Sequence, residues 1–101
     1  MSINLKGVTS CLGYQQITSL SSSTGLTVPT TDGNGLSQKP TIAVIIVESQ
    51  GIRYRDDGVA PTSSVGMPLV AGTVFTYDGD LSKIRFIEQS ASAKLNISFY
   101  C

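Results

Sequence analysis

The chain has 101 residues, 41% of them hydrophobic and 14% charged, and its seven Lys plus Arg balance seven Asp plus Glu. A chain this long holds one core and one domain. Its apolar content excludes a disordered polypeptide, and its zero net charge excludes the cationic field that draws proteins to nucleic acid or anionic lipid.

From the start, residues 1–13 show no continuous apolar core and no cleavage-site pattern, which predicts a soluble, unsecreted protein beginning at Met1. They read as an extended arm ahead of a domain over 14–101. Short strands are predicted over 14–20 and 26–28, separated by the polar turn Ser21-Ser22-Ser23-Thr24-Gly25. A loop follows over 30–35, with Asp32-Gly33 and Asn34-Gly35 as turn dipeptides. The clearest strand spans 41–48, where Ile42, Val44 and Ile46 alternate with Ala43, Ile45 and Val47. Apolar residues on both faces predict a central position in a sheet. The run Ile42 to Val47 is also the longest apolar stretch, far short of the ~20 residues of a membrane helix.

Ser49-Gln50-Gly51 then reads as the turn of a hairpin that returns along 52–55, with Ile52 and Tyr54 on one face and Arg53 and Arg55 on the other. Asp56-Asp57-Gly58 ends that strand and a long loop runs to Gly66-Met67-Pro68. Arg forks on carbonyls and Asp side chains on backbone N–H groups are expected to order it. Strands are predicted over 74–77 and 81–88, and Ser90-Ala91-Ser92 reads as a second hairpin turn onto 94–100. There Leu95, Ile97 and Phe99 face the core and Lys94, Asn96 and Ser98 face solvent. About seven short strands with no helical periodicity predict an all-β fold: one antiparallel β-sandwich or barrel-like domain.

The chemistry-bearing residues are few. The chain has no His, which removes the commonest general base and neutral metal ligand and the usual partner of a Ser or Cys nucleophile. Cys11 and Cys101 are the only thiols; they are expected to be unlinked, and neither has the helix N-terminus that would activate it. No enzymatic activity and no cofactor are expected. Asp56, Asp57, Asp78 and Asp80 sit on two loops that could meet around Ca²⁺, and Asp32 to Gly35 is a second fragment of that type. Both lack the remaining oxygen ligands of a full site, and Asp-Gly and Asn-Gly are ordinary turn residues. Arg53, Arg55, Lys83 and Arg85 form a candidate cationic strip for a partner surface, the alternative being a solvated face with weak ion pairs. Tyr14, Tyr54 and Tyr77 are candidate stacking platforms for a carbohydrate, the alternative being half-buried strand packing.

The stretch IRYRDDGVAPTSSVGMPLVAG, followed by FTYDGDLSKIRFIEQSASAKLNISFY, resembles small virion proteins of tailed bacteriophages over about residues 41–100. The residues that carry it are Arg53, Tyr54, Arg55, Asp56, Asp57, Gly58, Pro61, Gly66, Met67 and Pro68. The resemblance implies a capsid decoration (cement) protein or a small head or tail accessory subunit. It implies a β-sandwich displayed in many copies on the virion after synthesis in the host cytoplasm. The partner would be the major capsid protein or another virion protein, and the chain itself a dimer or trimer. Asp56, Asp57, Gly58, Pro61, Gly66 and Pro68 would then shape the loop rather than catalyse. A carbohydrate- or receptor-binding module of the tail is the competing expectation.

Overall fold

A computed structural model describes residues 11–30 and 39–101. Eight strands run through them: β1 (Cys11–Ile17), β2 (Thr24–Gly25), β3 (Ile42–Glu48), β4 (Ile52–Arg55), β5 (Met67–Leu69), β6 (Val74–Tyr77), β7 (Arg85–Glu88) and β8 (Lys94–Tyr100). They form two four-stranded sheets, ordered β1-β8-β3-β6 and β2-β7-β4-β5, with every neighbouring pair antiparallel.

The two orders have one origin. A chain folded back on itself between β4 and β5 gives a ribbon with the rungs β1·β8, β2·β7, β3·β6 and β4·β5. Rolling that ribbon places alternate rungs in opposite sheets and joins them through β8·β3 and β7·β4. This is the eight-stranded jelly roll. The expected all-β sandwich is what the chain forms.

Alternation along each strand decides what lies between the sheets. From the first sheet come Ile17, Ala43, Ile45, Val47, Tyr77, Leu95, Ile97 and Phe99; from the second come Ile52 and Phe86, with Leu20, Leu81 and Ile84 filling in from the connections. Full burial of side chains of this size is worth about 1.5–3 kcal/mol each. The strand β3 is central, between β8 and β6, as its two apolar faces predict.

Several expectations are corrected. Neither expected hairpin forms: β3 and β4 lie in different sheets, as do β7 and β8. Ser49-Gln50-Gly51 and the segment around Ser92 are corners that carry the chain across the sandwich. Turn residues signal that the chain reverses, not which sheet receives it. Ser49 and Ser92 adopt positive φ, 74° and 75°, to make those corners. The corners support one another, since Gln89 N–H donates to the Gly51 carbonyl (3.0 Å), Gly72 N–H to Val47 (2.7 Å) and Glu88 N–H to Leu20 (2.9 Å). The first strand spans 11–17 rather than 14–20, so residues 11–13 belong to the sheet; the rest of the expected arm, 1–10, lies outside the described residues. Thr24–Gly25 is paired instead of 26–28, where Leu26 and Val28 pack on the core without a ladder. Residues 81–83 turn, leaving only Arg85–Glu88 as strand, and Met67–Leu69, expected in a loop, is strand β5.

The short corners and the long connections occupy opposite ends of the sandwich. The β1–β2, β3–β4, β5–β6 and β7–β8 connections share one end. The β2–β3, β4–β5 and β6–β7 connections share the other.

An L-residue at left-handed φ costs about 1–2 kcal/mol, against about 0.5–1 kcal/mol of extra backbone entropy for Gly. Ser92→Gly should therefore raise the Tm by about 2–8 °C in a domain of this size. A lowered Tm in thermal unfolding would show that the corner is not strained.

Candidate binding surface

The β4–β5 connection, residues 56–66, is the one loop that joins sequence neighbours within a sheet, and it is fixed by its own bonds. Arg53, on the outer face of β4, donates from Nε to the Ser63 carbonyl (3.2 Å) and from Nη1 to the Gly66 carbonyl (2.8 Å). Thr62 and Val65 close a tight turn, Thr62 N–H to the Val65 carbonyl at 2.9 Å, and Thr62 Oγ1 accepts from Val65 N–H (2.9 Å) and Ser64 N–H (3.3 Å). Asp57 accepts from Arg55 Nε (3.1 Å) and Val59 N–H (3.3 Å) and forms the one ion pair among the described residues with Arg55. Those hydrogen bonds hold the Asp57 carboxyl below its usual range and raise the Arg55 guanidinium.

Gly58 turns the chain at φ +85° and Gly66 at φ +142°. At Gly66 a Cβ would also lie 3.1 Å from the Tyr54 carbonyl and 3.2 Å from the Cβ atoms of Arg53 and Pro61. Pro61 is buried beside Gly66. Pro68 lies within β5 rather than in the loop, opposite Arg53, where an edge strand tolerates a residue without N–H.

The far side of the loop is anchored through β6. Tyr77 is buried and its hydroxyl donates to Asp56 Oδ2 (2.9 Å). Burial and then that carboxylate push its pKa up to about 12. Tyr54 stacks on Phe75 with centroids 4.9 Å apart and tilts against Phe86 at 6.4 Å; burial raises its pKa first and Asp56 second. Of the three candidate stacking platforms, Tyr77 is therefore interior and Tyr54 is half-buried against Phe75. Tyr14 alone is open, 63% exposed on the outer face of β1.

Three of the four candidate cations, Arg53, Arg55 and Arg85, share the outer face of the β4–β7 pair, and Lys83 lies apart from it. Arg53 and Arg55 are engaged with the loop, Arg85 is exposed opposite Arg55 in the ladder, and Lys83 is exposed in the turn before β7. The acidic residues are each engaged: Asp56 takes the Tyr77 hydroxyl, near which Asp80 also lies, Asp57 takes Arg55, and Asp80 accepts from the Ser82 hydroxyl and from Ser82 N–H (3.0 Å), which lower its pKa. Among the described residues no three His, Cys, Asp or Glu side chains converge on a metal-sized site, and the Asp32–Gly35 fragment lies outside them. No disulfide joins Cys11 and Cys101.

Beside its exposed polar residues, this region shows apolar side chains: Val59 and Val65 on the loop, Met67 on β5 and Val70 in the turn after β5 are 51%, 52%, 58% and 70% exposed, four of the seven exposed large hydrophobics among the described residues. Arg55, Asp56, Asp57, Val65, Gly66 and Met67 line a shallow groove on this surface. A deeper cleft of about 850 Å³ opens at the same end of the sandwich, between Pro29, Pro40 and the 78–82 turn. The apolar display was missed in the sequence because Val59, Val65 and Met67 have no periodicity; their spacing follows loop geometry, not a strand. Comparison with family models, with curated proteins and with solved structures returned no match.

Two outcomes follow from this geometry. Gly66→Ala forces a disfavoured φ and meets backbone, so it should cost about 1–3 kcal/mol and lower the Tm; an unchanged Tm would show that the loop repacks freely. Tyr77 holds its proton above the range where the unfolded phenol, at 10.0, releases it. Its bond to Asp56 thus contributes fully below that value and is lost as pH rises toward 12. Denaturant unfolding from neutral to alkaline pH should show stability falling over that window, with a smaller fall in Tyr77→Phe. An equal fall in both would place the alkaline sensitivity elsewhere.

Proposed function

We propose that the chain is a non-enzymatic virion protein of a tailed phage that binds and reinforces the capsid surface as a decoration protein, docking through the β4–β5 loop and β5. The observation that carries docking is the exposure of Val59, Val65 and Met67 on the β4–β5 loop and the start of β5, where the loop's backbone is already held by Arg53, Asp57 and Thr62. A surface ordered before binding loses little entropy on contact, and exposed apolar groups gathered in one region mark interaction sites. The phage assignment is supported by the sequence resemblance over 41–100. The jelly roll adds a fold-level analogy, because capsid and lectin domains use it among many others. Many copies on a symmetric shell need little affinity each, since neighbouring contacts raise the effective concentration.

The carbohydrate-binding alternative is weakened by Tyr77, whose ring is buried, and by Tyr54, whose ring is half-buried and stacked on Phe75. A tail or head–tail accessory role differs from decoration in number: hundreds of copies per particle fit decoration, about a dozen or fewer fit the tail, and gel densitometry of purified particles separates them.

With Arg53 and Arg55 engaged internally, particle binding should be mainly apolar. Retention on purified particles should survive a rise from ~0.1 to ~1 M NaCl, which shortens the Debye length from ~10 to ~3 Å. Val65→Asp with Met67→Asp should abolish retention at unchanged Tm. Release by salt, with the aspartate variant still bound, would transfer the site to Arg85 and Lys83 and overturn the loop assignment.

A further inference from the structure

Among the described residues, the two sheets have four edge strands with one neighbour each: β1 and β6 in one, β2 and β5 in the other. Three are poor templates for strand addition. The strand β2 is two residues long, β5 has three residues with Pro68 at its centre and so lacks a central N–H, and β6 is four residues entered directly from the tight 70–73 turn. Short edges and edge prolines are the devices that keep sheets from joining.

The fourth edge has neither device. Strand β1 has seven residues, CLGYQQI, with no charge and no proline. Its ladder to β8 shifts once between Cys11 and Gly13 and is regular from Gly13 to Ile17. The side chains beside it are already fixed. Tyr14 Oη donates to Asn96 Oδ1 (2.6 Å), Gln16 Nε2 donates to the same oxygen (3.0 Å), and Asn96 Nδ2 donates to Glu48 Oε1 (2.8 Å). Gln15, on the inner side, exchanges hydrogen bonds with Thr27, accepting from its N–H (2.9 Å) and donating to Oγ1 (3.2 Å).

We propose that β1 is the edge at which two copies of this chain join, residues 13–17 of one antiparallel to residues 13–17 of the other, fusing two four-stranded sheets into one of eight. The occupant follows from symmetry and charge. A twofold axis through Gln15 brings every free donor of one edge to an acceptor of the other and closes without propagating. Tyr14 of each copy then lies opposite Gln16 of the other, ring against methylene stem. An uncharged edge on a neutral chain meets no repulsion from its own copy, and it offers no charge by which an unlike partner would be steered to it. The inference deepens the homo-oligomer part of the reading above and is independent of which shell the protein binds.

The test is sedimentation and light scattering of the full chain from ~1 μM to ~1 mM, the range of weak, small interfaces. A concentration-dependent dimer is expected, with hydrogen exchange of amides 13–17 slowing as concentration rises while β6 amides do not change. Tyr14→Lys with Gln16→Lys lines the seam with lysines and should give a folded monomer; Met67→Lys, on β5, should leave the dimer intact. A monomer at the highest concentration, exchange in β1 that ignores concentration, a dimer that survives the double lysine variant, or one lost in Met67→Lys would each overturn the edge pairing. Particle retention measured alongside keeps the two claims apart, because a wild-type monomer that still binds particles refutes only the pairing.

Discussion

Every long strand of this chain carries an apolar stripe that only another strand can cover. With no helix available among the described residues, Ala43, Ile45 and Val47 on β3 and Leu95, Ile97 and Phe99 on β8 are covered by Ile52 and Phe86 of the facing sheet. That requirement sets the topology. A single sheet of eight strands would leave one stripe in water, whereas a ribbon rolled on itself brings the stripes face to face. The sharp corners at Ser49 and Ser92 follow from it, because consecutive strands must change sheets within a few residues.

The same rolling explains why one loop is different. Six of the seven connections change sheets, and only β4 to β5 stays within one. This loop is free of the need to span the core, and its residues satisfy one another instead: the Arg53 fork on two carbonyls, the Thr62 turn, and Asp57 on Arg55 and Val59. Those bonds hold the backbone, and the loop presents Val59 and Val65 among exposed Asp56, Asp57, Thr62, Ser63 and Ser64.

Much of this was legible in residue order. The alternation in 42–48 and 94–100 located the two strands that dominate the core, and Ile52 and Tyr54 against Arg53 and Arg55 were assigned to the correct faces. The strand partners were not legible: a Ser-Gln-Gly corner and a Ser-Gln-Gly hairpin have the same local chemistry, and the choice between them is made by stripes many residues away. Met67–Leu69 was hidden by Pro68, which argues against a strand except at an edge. The four cations looked like a strip because Arg53/Arg55 and Lys83/Arg85 share a spacing. Lys83 is in a turn, however, and the guanidinium of Arg53 is taken by loop carbonyls, an outcome set by where the loop returns.

The placement of β8 also bears on how the protein is made. This strand lies between β1 and β3, bonded to both along its length, yet it spans residues 94–100 and leaves the ribosome after every other strand. Until it arrives, β1 and β3 have no common neighbour and the first sheet is two separate pieces. The core therefore closes through contacts of long sequence separation, which form slowly. Before that closure the flank of β3, the most apolar strand, is exposed to other chains.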